Sequence, residues 1–386
     1  MSPVPPQSPL LDHCPETLPA SAYYDAAWWV REQGAIWARN WVCAGRYDRQ
    51  ARGTIRRISV AGDSVILLRD GDGAYSAFHN TCRHRGAELC SAELQDHSGR
   101  LIRCPYHAWA YDGRDGRLVS TGFATPTADF DKSKHGLVPV HLMDWNGFIF
   151  LCLADHPPEF APDMGVAALD NWPMRDLVSG HVLETELACN WKIFWENYNE
   201  CLHCPGIHPE LSDMVPIYRK GIMSEPESPD WSPKAGLQPA LRPGARSWTM
   251  SGQPAGPEFA NLTQAERDAG HNFVTLYPTM FVVAHVDYVR AVIVTPLAPE
   301  RTHLRAEWLF LPDILAAPGF DLANVTDFAS IVMQQDGAAC EMNQRGLHSS
   351  RYQAGTLMPQ EFDIHRFHQW VLAQMETDQG SHIAPD

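Results

Sequence analysis

The sequence predicts an α+β protein built from two main domains, and three observations support this. Short β-rich runs separated by turns follow one another from residue 53 to about residue 153. The proline pair Pro157-Pro158 then indicates a domain boundary. Beyond it, helical and strand patterns are mixed, and the 386 residues are enough for each domain to bury a core.

The first part of the chain is predicted to contain one helix followed by short antiparallel strands. Apolar residues at helical spacing predict this helix at residues 23–41. The β-rich runs at residues 56–60 and 64–68 are joined by Ala61-Gly62-Asp63, which is typical of a hairpin turn. Antiparallel sheet is therefore expected up to residues 148–153.

The second part is predicted to combine long helices with strands. A helix is expected from Asn190 to His203, because Pro205 cannot continue it. Residues 214–257 are rich in Pro, Ser and Gly and predict a long loop, a candidate lid over a site. The remaining elements are strands at residues 281–294 and 302–310 and helices at residues 322–347 and 364–375.

Charge and composition exclude several classes of protein. The 46 acidic and 30 basic residues give a formal net charge of −16, so nucleic acid and anionic membrane surfaces are not expected as partners. No stretch approaches the roughly 20 apolar residues of a transmembrane helix, and residues 1–7 lack the features of a secretory signal. Ten cysteines at irregular spacing do not indicate a disulfide framework, so a cytoplasmic location is expected.

Two short Cys/His motifs in the β-rich part predict a metal centre. Cys82-Arg83-His84 is followed by Cys104-Pro105-Tyr106-His107, with 19 residues between His84 and Cys104. Thiolates can bind one iron of a [2Fe–2S] cluster while neutral imidazoles bind the other. The alternative is a structural Cys₂His₂ zinc site, but zinc fingers usually pair Cys with Cys and His with His. One residue of each type in each loop favours the cluster.

The loops around these motifs are rich in arginine. These side chains either form a solvated surface or attract an acidic redox partner, because complementary charge speeds encounter. The arginines are Arg83, Arg85, Arg100, Arg103, Arg114 and Arg117.

A second constellation lies in the second part of the chain. Glu200 and His203 are three residues apart, which would place them on one helix face. Pro205-Gly206 would break that helix and let His208 turn back toward His203. Two imidazoles and one carboxylate form the facial triad of non-haem Fe(II) oxygenases. Either Glu200 or the distant Asp336 could supply the carboxylate, since an acidic residue inside a buried helix needs a partner.

These motifs resemble those of Rieske non-haem iron oxygenase catalytic (α) subunits over almost the whole chain. The resemblance implies an α+β protein with a Rieske β-sandwich domain and a helix-grip (START-like) catalytic domain with an antiparallel sheet. The implied domains are an N-terminal helical segment at residues 1–44 that packs on the catalytic domain, the Rieske domain at 45–155 and the catalytic domain at 156–386.

The resemblance also assigns roles to residues of both constellations. It implies two cofactors, a Rieske [2Fe–2S] cluster and a mononuclear Fe(II). In this family the carboxylate ligand comes from a late helix, and the acidic residue before the first His connects the two metal centres in electron transfer. The cluster ligands would be Cys82, His84, Cys104 and His107; the mononuclear iron ligands would be His203, His208 and Asp336; and Glu200 would be the bridging residue.

One departure from the dioxygenases narrows the expected substrate. They usually have Asp at the bridging position, whereas this chain has Glu200. The stretch from Glu196 to Cys204 is similar to that of oxygenases acting on glycine betaine, carnitine and stachydrine. This implies hydroxylation of a quaternary ammonium compound, with N-demethylation or C–N cleavage. The alternative is an aromatic-ring or aromatic-acid hydroxylating oxygenase of the same fold.

The resemblance implies partners as well. Electrons from NAD(P)H would arrive through a separate flavin and iron–sulfur reductase, and the subunits would form a homotrimer in which electrons cross between neighbours. O₂ would be the second substrate. A methylated ammonium would be held by cation–π attraction in an aromatic box. Candidate walls, each of which could instead be core, are Tyr198, Tyr277, Phe281, Tyr288 and Trp308.

Overall fold

The computed structural model describes residues 8–161, 164–229 and 241–377 and divides into two compact units. One unit is Gln33–Phe160, and the other combines Met1–Glu32 with Ala161–Asp386. The predicted domains at 45–155 and 156–386 differ from these units by several residues. Residues 33–44, expected in the N-terminal helical segment, group with the β-rich unit. Parts of the first and last predicted domains (residues 1–7, 162–163, 230–240 and 378–386) lie outside the described residues.

The described residues of the β-rich unit form three antiparallel sheets. Their strand orders are β1-β10-β9, β4-β3-β2-β5 and β6-β7-β8. A π-helical turn lies at Gln33–Trp37, and 3₁₀ turns lie at Tyr47–Arg49 and Lys132–His135. The strands are β1 (Val42–Arg46), β2 (Thr54–Val60), β3 (Asp63–Arg69), β4 (Tyr75–His79), β5 (Leu94–Asp96), β6 (Leu101–Arg103), β7 (Ala110–Asp112), β8 (Leu118–Ser120), β9 (His141–Trp145) and β10 (Phe148–Cys152).

The β2–β3 hairpin has the turn that its sequence predicts. Val60 pairs with Asp63, which leaves a two-residue loop of Ala61 and Gly62. Both loop residues have positive φ (52° and 84°), as a type I′ turn requires. The strands bury a core that includes Ile66, Phe78 and Tyr111 and also both motif cysteines, Cys82 and Cys104.

The other unit is built on one five-stranded antiparallel sheet with helices packed on it. The strand order is β11-β15-β14-β13-β12, and α2 packs against α7, α8 and β14. The strands are β11 (Val178–Leu187), β12 (His271–Leu276), β13 (Met280–His285), β14 (Val289–Ala298) and β15 (Arg301–Phe310). The helices are α1 (Ala26–Glu32), α2 (Trp191–Tyr198), α3 (Cys204–Ile207), α4 (Pro209–Met214), α5 (Gln264–Ala269), α6 (Pro312–Leu315), α7 (Leu322–Leu347) and α8 (Phe362–Thr377). Short 3₁₀ turns lie at Ala20–Tyr23, Val166–Leu169, Pro216–Lys220, Glu225–Glu227 and Pro359–Glu361.

Helices mixed with antiparallel sheets confirm the predicted α+β class, and α7 confirms the helix predicted at residues 322–347. The strand predicted at 281–294 is instead two strands, β13 and β14, joined at residues 286–288. Of the loop predicted at 214–257, residues 230–240 lie outside the described residues. In the described ranges no helix is long and apolar enough to cross a lipid bilayer.

The helix predicted from Asn190 to His203 is wrong in its second half. Asn190 caps its start, because its side chain accepts a hydrogen bond from Lys192 N at 3.0 Å. The helix ends at Tyr198 because Glu200 accepts hydrogen bonds from the backbone N–H groups of Leu202 and His203. Such side-chain bonds compete with the helical ladder. Glu200 and His203 therefore share a turn and not a helix face.

A disulfide within this turn was not expected from the sequence. Cys201 and Cys204 are bonded, with Cα atoms 5.0 Å apart. The prediction that the cysteines do not form a disulfide framework overlooked that two cysteines three residues apart can meet when a turn brings their Cα atoms to bonding distance. Cys82 and Cys104 are free thiols.

Candidate functional site

The four residues of the first constellation lie on two tight loops of the β-rich unit. Cys82 and His84 follow β4, and Cys104 and His107 lie between β6 and β7. Each loop is closed at its cysteine: Cys82 N donates to the carbonyl of Ala87 at 2.8 Å, and Cys104 N donates to Trp109 O at 2.8 Å. These bonds fix the backbone of each loop at its cysteine.

Thiols and imidazoles are separated in this arrangement. Cys82 and Cys104 are each only 2% exposed and interact with each other in the core. His84 and His107 lie toward solvent, with their Nδ1 atoms 3.2 Å apart. A sulfur pair and a nitrogen pair suit a two-iron cluster, whereas one tetrahedral zinc needs four donors around a single point. In the described ranges, the donor atoms of these four residues do not all come within 4.8 Å of one another.

Neighbouring side chains orient the two imidazoles. The His84 ring stacks on Trp109 with centroids 4.8 Å apart and 13° between planes. Arg85 donates to the Tyr106 hydroxyl at 2.9 Å and contacts His107 Nε2 at 3.4 Å. Gly122 passes directly behind the second loop, where a Cβ atom would come within 2.4 Å of the His107 carbonyl oxygen. The two rings thus keep their Nδ1 atoms toward each other, and His107 Nε2 lies on the other side of its ring, next to Arg85.

The six arginines near these loops separate into two groups. Arg100 and Arg117 form ion pairs with the buried Asp112, and Arg114 pairs with Asp70 and Asp72. Arg83, Arg85 and Arg103 form no ion pair with any carboxylate among the described residues. Of the predicted patch, these three are the ones whose charge is available to an acidic partner.

The second constellation brings two histidines and one aspartate together in the other unit. His208 Nε2 lies 2.8 Å from Asp336 Oδ1, and His203 Nε2 lies 3.5 Å from the same oxygen. One ligand atom from each of the three residues can be chosen so that all lie within 4.8 Å of one another. Asp336 is in the middle of α7, and the turn at Pro205-Gly206 returns the chain to His208. Two imidazoles and one carboxylate on one side of a metal leave positions open for other ligands.

The opposite nitrogens of both rings have carboxylate or amide partners. His203 Nδ1 donates to Glu200 Oε1, and His208 Nδ1 donates to Gln335 Oε1 at 2.7 Å. Gln335 in turn donates to Glu210 at 2.9 Å, which fixes which end of its amide faces His208. These bonds place the ring proton on Nδ1 and leave both Nε2 atoms free for a metal.

Charge couples the three residues tightly. Burial alone would lower the pKa of His203, but hydrogen bonds and charge from Asp336 and Glu200 outweigh it and raise the pKa to about 9. Burial also lowers the pKa of His208, and Asp336 more than compensates. Burial raises the pKa of Asp336, yet the two histidines hold it below its ordinary value. In the absence of metal, protons on the two imidazoles therefore supply the positive charge that a bound cation would supply.

Glu200 is on the side of His203 away from Asp336. Its carboxylate binds Nδ1, whereas Nε2 faces His208 and Asp336. Glu200 and His203 also line a second pocket of about 360 Å³, together with Met342, Asn343 and Tyr352. Glu200 therefore contacts His203 on the side opposite to Asp336, and it lines both this second pocket and the smaller cavity at the three clustered residues.

A small cavity adjoins the histidine–aspartate cluster. Its volume is about 100 Å³, whereas pockets for drug-sized ligands have about 300–1,000 Å³, so it suits a compact molecule. Of the predicted aromatic walls only Tyr198 and Phe281 line it, with ring centroids 4.1 Å apart. The prediction for Tyr277, Tyr288 and Trp308 is wrong for this cavity. The aromatic residues that the sequence analysis missed are Phe194, Tyr218, Trp248 and Phe273.

Two family models match the chain. The Rieske [2Fe-2S] domain matches residues 40–131, and the ring hydroxylating alpha subunit (catalytic domain) matches residues 174–377. The second match alone spans more than half of the chain. The chain belongs to the Rieske oxygenase α-subunit family. As a member of this family it is an oxidoreductase with a Rieske [2Fe–2S] domain and a catalytic domain that binds mononuclear iron, so the predicted cofactors are confirmed.

Curated relatives of this Rieske oxygenase subunit extend over nearly all of it. The glycine betaine monooxygenase oxygenase subunit of Chromohalobacter salexigens is 30% identical over 391 residues, covering 93% of this chain and 86% of the relative. The chloroplastic choline monooxygenase of Beta vulgaris is 28% identical over 375 residues, covering 92% and 76% respectively.

Solved structures share the fold. The quaternary ammonium Rieske monooxygenase CntA in complex with substrate L-carnitine has a TM-score of 0.68 at 20% identity, covering 93% of this chain and 96% of CntA. Naphthalene 1,2-dioxygenase from Rhodococcus sp. bound to indole has a TM-score of 0.67 at 19% identity. The match covers 93% of this chain and 94% of the dioxygenase chain. These likenesses confirm the predicted two-part fold and do not separate the two substrate classes.

Proposed function

We propose that this subunit hydroxylates a small quaternary ammonium compound next to its nitrogen, using O₂ and electrons from NAD(P)H supplied by a separate flavin and iron–sulfur reductase. Hydroxylation of an N-methyl group yields a carbinolamine, which collapses to formaldehyde and a demethylated amine. The observation that carries the proposal is the compact aromatic cavity beside His203, His208 and Asp336. Aromatic faces attract methylated ammonium groups by cation–π interaction.

The proposal assigns a role to each residue of the two sites. Cys82, His84, Cys104 and His107 hold the cluster, and His203, His208 and Asp336 hold the mononuclear iron. When bound, the cluster supplies single electrons and the iron activates O₂. Glu200 connects His107 of one subunit to His203 of its neighbour in a homotrimer. The contact of Glu200 with His203 Nδ1, on the side away from the metal-facing Nε2, supports this role.

Sequence relatives add support for the substrate class. The relatives reported above carry the names glycine betaine monooxygenase and choline monooxygenase, both of which denote quaternary ammonium substrates. Glu200 in place of the usual Asp points the same way. A cytoplasmic location fits the acidic chain, whose irregularly spaced cysteines do not indicate a disulfide framework. Arg83, Arg85 and Arg103 are the candidate contacts for an acidic reductase surface.

A substrate panel tests the proposed function. The purified subunit, with a compatible reductase and NADH, is offered trimethylammonium compounds and, separately, aromatic hydrocarbons and acids. We expect formaldehyde or a cleaved amine from the first group, with O₂ consumption matched to product. Phenol or cis-diol formation from the aromatic compounds, with no product from the ammonium compounds, would instead support an aromatic-ring oxygenase.

The cluster assignment makes a separate spectroscopic prediction. The purified protein should be red-brown and, after dithionite reduction, show a Rieske-type EPR signal with low average g. His84→Cys should shift or abolish that signal, because it replaces nitrogen with sulfur on one iron. His135→Cys is the matched control, because His135 lies outside the motif but in the same unit. Its ring centroid is 6.2 Å from that of Trp109. A colourless protein with zinc and no inorganic sulfide would contradict the assignment.

A further inference from the structure

One charged side chain in the cavity has no role in either metal site. Arg290 lies on β14, an inner strand of the five-stranded sheet, and is only 7% exposed. It lines the same cavity as His203, His208 and Asp336. Val292, two residues further along the strand, lines this cavity too, as expected because alternate residues of a strand face the same side.

The Arg290 guanidinium has no partner in the part of the chain that the structure describes. Its Nε is buried without a hydrogen-bond acceptor, and no described carboxylate forms an ion pair with it. On the neighbouring strand, by contrast, Arg305 pairs with Glu184 and Glu307. Burying a charge without a counter-charge costs several kcal/mol. An unpaired buried guanidinium is therefore expected to have a partner that is not part of the chain.

Groups near Arg290 do not provide a free negative charge. Burial together with the charges of His271 and Arg290 lowers the pKa of His285 well below its usual value, so this imidazole is neutral. Burial raises the pKa of both Tyr198 and Tyr288, so these phenols are neutral.

Asp336 is the acid whose charge reaches Arg290, but it does not pair with it. Its carboxylate contacts His203 and His208 instead. Burial lowers the pKa of Arg290, yet a guanidinium remains protonated in proteins. With iron bound, the cavity would hold more positive than negative charge. An anionic group on the substrate would restore the balance.

We infer that Arg290 binds a carboxylate of the substrate, which makes the substrate a betaine and not an alcohol such as choline. The parallel N–H groups of a guanidinium match the two oxygens of a carboxylate. Tyr198 and Phe281 in the same lining offer faces to the methylated ammonium at the other end. The inference rests on the proposed function for that ammonium group, and on Arg290 alone for the carboxylate.

The consequence is a measurable preference between two closely matched compounds. Choline has a hydroxymethyl group where glycine betaine has a carboxylate, so it would leave Arg290 unpaired and bring a second uncompensated cation into the cavity. A site built to hydrogen-bond a polar group of its substrate can favour that substrate over an analogue without the group by up to about 10⁴–10⁵-fold in kcat/KM. We expect wild-type kcat/KM for glycine betaine to exceed that for choline by about 100-fold or more.

The test compares kcat/KM for glycine betaine and for choline in the wild type and three variants. Arg290→Met keeps an unbranched apolar chain about as long as the arginine stem and removes the charged guanidinium. It should lower kcat/KM for glycine betaine by about 100-fold or more, mainly through KM, and change that for choline by less than about fivefold. Arg290→Lys keeps the charge without the fork and should restore part of the preference. Arg301→Met is the matched control, because Arg301 is exposed at the start of β15 and pairs with Glu186.

Iron content and the cluster spectrum are measured on every variant, so a folding defect is visible. If Arg290→Met does not fold, the role of Arg290 is still tested by the preference for glycine betaine over choline in the wild type and in Arg290→Lys. Equal use of choline and betaine by the wild type, or equal loss for both in a fully loaded Arg290→Met, would overturn the role of Arg290 and leave the proposed function standing. If only aromatic compounds react, the proposed function fails. Arg290 is then judged by aromatic acids against their amides: an Arg290-dependent preference for the acid supports its role, and no preference overturns it.

Discussion

Asp336→Ala is expected to abolish product formation while leaving the Rieske cluster unchanged. Asp336 is the carboxylate that both His203 Nε2 and His208 Nε2 approach, so its loss removes the charged member of the triad. The variant should contain one iron fewer per chain, with the two cluster irons retained. Turnover should fall by at least about 100-fold, which corresponds to about 2.7 kcal/mol of transition-state stabilisation. Iron per chain, EPR of the reduced cluster and product analysis measure the three effects.

The same helix offers a control for Asp336→Ala. Asp327 is an exposed aspartate of α7, nine residues before Asp336, and Asp327→Ala removes the same group from the same helix without touching the site. Its iron content and turnover should equal those of the wild type. Retention of turnover by Asp336→Ala would move the carboxylate to another residue. Glu341 would be tested next, although its Oε1 accepts a hydrogen bond from Ala188 N at 3.0 Å in this structure.

Local motifs identified the members of both constellations, because metal-binding loops have characteristic spacings. The turn at Pro205-Gly206 was expected to return His208 toward His203, and the two ring centroids lie 5.1 Å apart. Asp336 lies 128 residues from His208 along the chain. Spacing cannot reveal a contact across that separation, so reasoning from the residues alone left both Glu200 and Asp336 as candidates. The family resemblance favoured Asp336, and the geometry is consistent with it.

Other features could not be deduced from local patterns. The helix expected to carry Glu200 ends early because the Glu200 side chain bonds to the backbone, a competition that hydrophobic periodicity does not register. Gln335 holds His208 only because helix and turn meet in space. Arg290 is recognisable in the sequence as an unusual residue, because it interrupts an apolar run from Val289 to Val294 in which a charge is unexpected. Which aromatic residues face the cavity depends on strand register, which the sequence left open.

Glu200→Gln separates a bridging residue from an iron ligand. The glutamine keeps the size of the side chain and an oxygen that can accept the His203 Nδ1 proton, but it carries no charge. If Glu200 bridges, both metal centres should remain loaded, and the reductase should still reduce the cluster. Oxidation of the reduced cluster by O₂ in the presence of substrate should slow by about 100-fold or more, because the carboxylate no longer fixes the two imidazoles it joins.

The alternative is that Glu200 binds the iron directly, and the same variant then loses that iron. In the structure Glu200 contacts Nδ1 of His203, the nitrogen turned away from Asp336, which favours the bridge. Glu196→Gln is the matched control: Glu196 lies one helical turn earlier and hydrogen-bonds to Tyr23 and His368, not to His203. Iron per chain and single-turnover oxidation of the pre-reduced cluster decide the matter. Full iron with a cluster that stays reduced supports the bridge, lost iron supports the ligand, and normal single-turnover kinetics in Glu200→Gln would exclude both roles.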